Sequence, residues 1–157
     1  MRKRIITQSS AQVSLAGQDW LDLERLAQVE VTSEEATHPI EAALLAETGA
    51  GWRAAQSGEQ TIRLLFDKPL TLRRIQLLFV ETAATRTQEF LLRWSPDNGQ
   101  TYRELVRQQY NFAPTGATRE LEDCNVNLDG VTVLELQIIP DIRGGAACAA
   151  LAQLRLA

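Results

Sequence analysis

The chain has 157 residues, of which 45% are hydrophobic and 23% are charged, and its formal net charge is -4. This length and apolar content are typical of one folded domain, and they exclude disordered and collagen-like chains. The sequence has no run of 18 apolar residues, so we expect no membrane span. The acidic balance argues against a protein that coats nucleic acid through bulk charge alone.

The N-terminal part of the chain lacks the periodicity of a regular element. Residues 1–19 are predicted to form a flexible arm, followed by a single β-sandwich domain over residues 20–157. The basic residues 2–4 are not followed by the apolar stretch that a signal peptide needs. Cys124 and Cys148 are predicted to be thiols, because a chain of this length needs no covalent staple. We therefore expect a cytoplasmic protein.

The dominant hydrophobic period is two, which is the period of β-strands. Ile62, Leu64 and Phe66, for example, share one face of a strand. Residues 102–109 and 121–128 are more polar, as is typical of strands at the edge of a sheet. The predicted strands, in chain order, are residues 27–32, 61–66, 75–80, 89–94, 102–109, 121–128, 131–139 and 152–156.

Short turn-forming motifs separate these strands. Residues 67–69 read Asp-Lys-Pro, residues 95–99 read Ser-Pro-Asp-Asn-Gly, and Asp129-Gly130 is the dipeptide of a hairpin turn. One short helix is predicted over residues 39–46, where proline occupies the first turn and apolar residues share a face. About eight short antiparallel strands and one helix predict an all-β, jelly-roll β-sandwich.

The loops fall into two groups, because successive antiparallel strands leave opposite ends of a sandwich. The short turns at residues 67–71, 96–100 and 129–131 form one group. The other group contains every loop rich in aromatic, Arg or amide side chains, namely the connection before Arg53 and residues 82–87, 110–119 and 141–147. A binding rim needs these side chains, since aromatic faces stack on ligands and Arg and Asn orient them. The candidate ligand-binding residues are Trp52, Arg53, Arg86, Tyr110, Asn111, Phe112 and Arg143, with His38 as an accessory residue.

Several candidates also have a structural interpretation. Trp52 would then close the end of the sandwich, and Phe112 would pack under its own loop. Arg143 would be a solvated charge that adds little to stability. For Arg86 we favour a role in binding ligand, and the alternative is that it holds the rim together.

The sequence gives little support for catalysis. His38 is the only histidine, and no GxSxG, HExxH, P-loop or GxGxxG motif occurs. Asp97-Asn98-Gly99 lacks the further acidic ligands of a calcium loop and is interpreted as a turn. We therefore predict a protein that is not an enzyme, with no catalytic residues, no metal ligands and no cofactor.

Three stretches, residues 38–45, 51–55 and 58–64, together resemble the opening of galactose-binding-like, or discoidin (coagulation factor type C), domains. The same region is similar to the N-terminal domain of the X-ray repair cross-complementing scaffold of DNA strand-break repair. Residues 90–94 and the turn at 95–99 resemble the strand, S-x-D-G, strand signature of the discoidin group.

The resemblance implies a non-enzymatic module that binds a carbohydrate or another small polar ligand with loops at one end. Trp52, Arg86, Asn111, Phe112 and Arg143 match in type the residues that carbohydrate-binding members use. The alternative that the resemblance implies is an intracellular adaptor that binds another protein or a DNA end. That adaptor would use a basic rim of Arg53, Arg86, Arg119 and Arg143, and its binding to DNA would weaken with salt.

Overall fold

The computed structural model describes residues 20–45 and 51–157, and the predicted arm at residues 1–19 lies outside this range. The elements in the described residues are α1 Leu23–Leu26, β1 Ala27–Val31, α2 Glu41–Leu44, β2 Trp52–Ser57, β3 Gln60–Val80, β4 Arg86–Ser95, β5 Arg103–Phe112, β6 Arg119–Ile139, β7 Cys148–Leu151 and β8 Gln153–Leu156. Neither described helix approaches the length or hydropathy that crossing a bilayer requires. The predicted all-β sandwich is confirmed.

Two long antiparallel strands, β3 and β6, organise the fold. Each has 21 residues, and they pair with each other along nearly their whole length. The register is regular over residues 60–65 and 74–80 of β3, and it shifts repeatedly between these two limbs. Register shifts of this kind bend a strand pair. Each strand therefore contributes one limb to each layer of the sandwich.

The first layer has the strand order β1, β3, β6, β4, β5. The second layer contains the other limbs of β3 and β6, with β8 paired to β3. Phe79 in the second limb of β3 packs on Phe90 of β4, with ring centroids 5.1 Å apart, so the layers face each other across the core. β2 and β7 form a separate two-stranded ladder.

Two predicted turns are bends inside continuous strands, and this corrects the sequence analysis. Residues 67–69 lie within β3, and Asp129-Gly130 lies within β6. The two bends face each other, because Leu70 pairs with Val131 and the Thr71 hydroxyl donates to Asp129 at 3.1 Å. The turn-forming residues correctly mark a change of direction. They do not distinguish a hairpin from a bend that two paired strands share.

Three further sequence predictions are confirmed in part or in full. The predicted helix is present as α2, shorter than residues 39–46, and Ile40, Ala43 and Leu44 are buried as expected. The edge position of β5 and of the first limb of β6 is confirmed. The strands β2 and β7 and the helix α1 were not predicted.

The turn between β4 and β5 is confirmed. Asn98 and Gly99 have φ angles of 60° and 89°, a region that Asn and Gly tolerate best. The Asp97 carboxylate accepts hydrogen bonds from Thr101 Oγ1 at 2.6 Å and from Ser95 Oγ at 2.7 Å. These bonds lower the pKa of Asp97 to about 2. The turn is therefore closed by its own side chains.

A row of alternating charges crosses the outer face of the first layer. Its members lie at successive cross-strand positions and are Glu30, Arg63, Glu135, Arg93 and Glu104. Glu135 is 0% exposed, and it accepts hydrogen bonds from Arg63 Nε at 2.9 Å and Arg93 Nε at 2.7 Å. The hydrogen bonds to Glu30 and Glu135 raise the pKa of Arg63. Two guanidinium groups thus offset the cost of burying one carboxylate.

Replacing Glu135 with Ala is expected to destabilise the protein by about 1–3 kcal/mol, because Arg63 and Arg93 lose a hydrogen-bonded counter-charge while each stays partly exposed to water. The control is Glu104→Ala at the exposed end of the row, which should leave stability unchanged within error. Urea unfolding measures both variants. Equal stability of the two variants would show that the buried carboxylate is not a central contact.

Gln88 is a polar side chain inside the sandwich, on the inward face of β4. It is 0% exposed, and neither its Nε2 nor its Oε1 atom has a hydrogen-bond partner among the described residues. An unpaired buried amide costs free energy. Gln88→Met is therefore expected to stabilise the protein by about 1–3 kcal/mol in urea unfolding. The same change at the exposed Gln108 should have no effect, and a loss of stability at Gln88 would contradict the argument.

Candidate ligand-binding site

The loops rich in functional side chains meet at one end of the sandwich. The loop after β3 contacts the loop before β6, since Glu81 N–H donates to Thr118 O at 2.8 Å. The loop after β6 contacts β4, since Ile142 N–H donates to Thr87 O at 2.8 Å. The predicted grouping of these loops is confirmed.

The opposite end holds the short turns. Asn98 N–H in the β4–β5 turn donates to the Thr132 hydroxyl at 2.8 Å, close to the bend of β6. Arg73 lies 3.7 Å from Asp129 across the two bends. This end presents turn residues and one exposed ion pair, so the functional side chains segregate to the other end as predicted.

A cleft of about 410 Å³ lies at the loop-rich end, beside the β2–β7 ladder. His38 and Arg53 line one side, and residues 80–84 after β3 line another. Small side chains make up most of the remaining wall, namely Ala146, Ala147, Cys148, Ala150 and Ala152. Such side chains leave the backbone accessible, so a ligand can approach it closely.

Trp52 is part of the core as well as of the cleft wall. It is 1% exposed, and its indole N–H donates to Ser33 O at 3.0 Å. The hypothesis that Trp52 offers an open face to a ligand is therefore wrong, and the alternative that it closes the end of the sandwich is confirmed. At the start of β2 the side chain of Trp52 points inward, whereas the side chain of the next residue, Arg53, points outward.

Arg53 is exposed at the cleft and is held by its backbone. It pairs with Ala150 across the β2–β7 ladder, and its N–H donates to His38 O at 3.2 Å. Its carbonyl accepts from Glu35 N–H at 2.9 Å. These contacts fix the segment that carries His38 next to β2. His38 Nδ1 lies 3.3 Å from the Glu35 carboxylate, with the side chain of His38 35% exposed.

Arg86 is buried, whereas the predicted role in binding ligand assumed an exposed charge. It is 3% exposed, with Nε donating to Glu81 Oε1 at 2.8 Å and Nη1 donating to Pro140 O at 2.8 Å. Its guanidinium lies 5.6 Å from the centre of the Phe112 ring. Arg86 begins β4 with its side chain inward, so it joins the loops after β3 and β6 instead of facing solvent.

Glu81 organises the short loop that forms one wall of the cleft. Its Oε2 accepts hydrogen bonds from the N–H groups of Ala83 at 3.0 Å and Ala84 at 3.3 Å. Burial raises the pKa of Glu81, but these N–H groups and the Arg86 charge together lower it below its usual value. The carboxylate is therefore ionised at neutral pH and fully engaged within the protein.

The three candidates at the end of β5 do not reach the cleft. β5 extends to Phe112, so these residues belong to a strand and alternate between its faces. Phe112 is 1% exposed, and Tyr110 is half-buried with its hydroxyl donating to the Glu122 carboxylate. Burial raises the pKa of Tyr110. Asn111 is exposed but accepts a hydrogen bond from Thr87 at 2.7 Å. Both rings pack into the protein, so the alternative that Phe112 packs under its own loop is the one that the structure supports.

Arg143 is exposed on the loop after β6, outside the cleft. Its Nε donates to Asp141 at 3.2 Å. The predicted residues that the cleft brings together are thus His38, Trp52 and Arg53. The sequence analysis did not identify Glu81 or the alanine-rich residues 146–152 as part of the site. The run of small residues was a usable signal, because small side chains let a ligand approach the backbone closely.

Both cysteines are free thiols, as predicted, and both are half-buried. Burial and the Glu122 carboxylate raise the pKa of Cys124 to about 11, so this thiol is protonated at neutral pH. Within the described residues, no group of three or more His, Cys, Asp or Glu side chains is arranged to hold a metal ion.

Arg86→Ala is expected to lower the free energy of unfolding by about 3 kcal/mol, because it leaves the buried Glu81 carboxylate without its partner. In a domain of this size the melting temperature should fall by several degrees. Arg143→Ala, which removes an exposed arginine from the same end, should leave the melting temperature unchanged. An unchanged melting temperature for Arg86→Ala would contradict the role of Arg86 in joining the loops after β3 and β6.

No family model matches the chain, and no curated protein matches it by sequence. Solved structures do match its fold. CBM32-3 from a family 31 glycoside hydrolase of Clostridium perfringens has a TM-score of 0.66 at 18% identity, covering 90% of this chain and 96% of that one. The family 32 carbohydrate-binding module of C. perfringens NanJ, solved with galactose, has a TM-score of 0.64 at 12% identity, covering 87% and 96%.

A pectin-binding carbohydrate-binding module also matches, with a TM-score of 0.61 at 16% identity over 84% of this chain and 90% of that one. At these identities the likeness concerns the fold alone. The chain therefore has the β-sandwich fold of these carbohydrate-binding modules.

Proposed function

We propose that this protein is a non-catalytic carbohydrate-binding module and that the cleft at the loop-rich end is its binding site. The observation that carries the proposal is the exposed Arg53 beside His38 in a cleft of a fold shared with such modules. The modules that match this fold bind sugars such as galactose, as well as pectin.

The cleft has the size and polar groups that a sugar requires. Its volume of about 410 Å³ lies within the range of about 300–1,000 Å³ that is typical of small-molecule sites. Arg53 offers several N–H donors, His38 offers a ring nitrogen, and Thr82 offers a hydroxyl that both donates and accepts. Sugar hydroxyls need such directed hydrogen bonds, so the cleft suits a hydroxyl-rich ligand.

The adaptor alternative has less support. Its basic rim required Arg53, Arg86, Arg119 and Arg143, but Arg86 is buried against Glu81 and Arg143 is paired with an aspartate. Binding to DNA needs several unpaired cations along the phosphate backbone. The resemblance to discoidin domains and to the repair scaffold stays a prediction from the sequence.

The test is a glycan array followed by calorimetric titration of the best sugar. Arg53→Ala should weaken binding by about 10–100-fold, because hydrogen bonds to a charged group contribute about 1.5–3 kcal/mol. The melting temperature should not change, since Arg53 is exposed. The matched control is Arg73→Ala, an exposed arginine at the opposite end of the sandwich, which should bind like the wild type.

Failure to bind any sugar would refute the proposal, as would full binding by the Arg53→Ala variant. Binding to gapped DNA that weakens steeply with salt would favour the adaptor instead.

A further inference from the structure

We infer that the cleft selects sugars that carry a carboxylate, such as uronic acids, over their neutral counterparts. This inference rests on the proposed carbohydrate-binding function and adds the chemical class of the ligand. Three features of the described cleft wall support it: its exposed charge, its lack of an open aromatic ring, and the space beside Arg53.

The charge exposed in the cleft is positive. The titratable side chains among the residues that line it are His38, Arg53, Glu81 and Cys148. Arg53 is exposed and forms no ion pair with the residues described at 20–45 and 51–157. Its guanidinium is therefore available to a ligand and can bind a carboxylate through two parallel hydrogen bonds.

Among the described residues that line the cleft, the one carboxylate is that of Glu81, and it does not cancel this charge. The side chain of Glu81 is only 13% exposed, and its partner Arg86 lies 2.8 Å away. Its second oxygen accepts from two loop N–H groups. Glu35, just outside the cleft, lies 3.3 Å from His38 and is the partner of that side chain. Both carboxylates thus have nearer partners than Arg53 among the residues that the structure describes.

The described residues of the cleft wall present no open aromatic face. Trp52 is the aromatic residue among those that line it, and it is 1% exposed. Neutral sugars commonly gain affinity by laying their C–H face on an exposed ring, whose large apolar surface is the main contribution. Since that contribution is missing here, hydrogen bonds must supply most of the affinity. A carboxylate bound by Arg53 forms the strongest such pair that this cleft can offer.

The floor beside Arg53 leaves room for the carboxylate. Arg53 pairs with Ala150 across the β2–β7 ladder, so the two side chains stand on the same face. Ala147 and Ala152 also line the cleft, and none of the three alanines has a side-chain atom beyond Cβ. Val80, 36% exposed, offers an apolar contact for the C–H groups of the ring.

The experiment compares sugars that differ only at C6. The wild-type protein is titrated with the methyl glycosides of galacturonate and galactose, and of glucuronate and glucose, by ligand-observed NMR. We expect at least one uronate to bind about tenfold or more tightly than its neutral counterpart, because the carboxylate forms a charge-assisted pair. Raising the salt concentration should reduce this preference.

The variant Arg53→Gln keeps a hydrogen-bonding side chain but removes the charge. It should abolish the preference for the uronate and leave weak binding of the neutral sugar. Arg73→Gln, at the far end of the sandwich, should keep the wild-type preference.

The outcomes separate the two proposals. Neutral sugars that bind the wild type as tightly as uronates, with both weakened in Arg53→Gln, would refute the inference and retain the proposed function. A uronate preference that survives in Arg53→Gln would also refute the inference. Binding of neither class, on the array or by NMR, would overturn the proposed function itself.

Discussion

The pairing of β3 with β6 continues through a bend that both strands make at the same level, and the rest of the structure depends on this shared bend. It turns one ladder into two layers that face each other, with Phe79 against Phe90. It also fixes which loops lie together, because both strands begin and end at the opposite end of the sandwich. The cleft beside the β2–β7 ladder is formed where those ends meet it.

Arginine has several roles in this protein, and the partners of each guanidinium group distinguish them. Arg63 and Arg93 hold the buried Glu135, and Arg86 holds Glu81. Arg155 acts in a third way, donating to the carbonyls at the end of α2, and burial lowers its pKa. Planar, permanently charged guanidinium groups suit such internal contacts. Arg53 has the same chemistry but an exposed position, and the proposed function assigns its hydrogen-bonding groups to a ligand.

The cleft combines a rigid frame with small side chains. Arg86 joins the loops on either side, and Glu81 closes its own loop with two backbone hydrogen bonds. A site held in this way loses little conformational entropy when a ligand binds. Because Trp52 is buried, we expect the affinity for a ligand to come from charge and hydrogen bonding and not from stacking on its ring.

The sequence by itself determined the sandwich class, most strands, the β4–β5 turn and the two sets of loops, because alternation and turn chemistry are local. It also placed His38 and Arg53 at the functional end. Only the tertiary structure decided that the bends at residues 67–69 and 129–130 continue their strands, since that depends on pairing between distant residues. It likewise decided that Arg86 and Phe112 point inward, because β4 begins and β5 ends within segments predicted to be loops, and strand alternation then sets the face of each side chain.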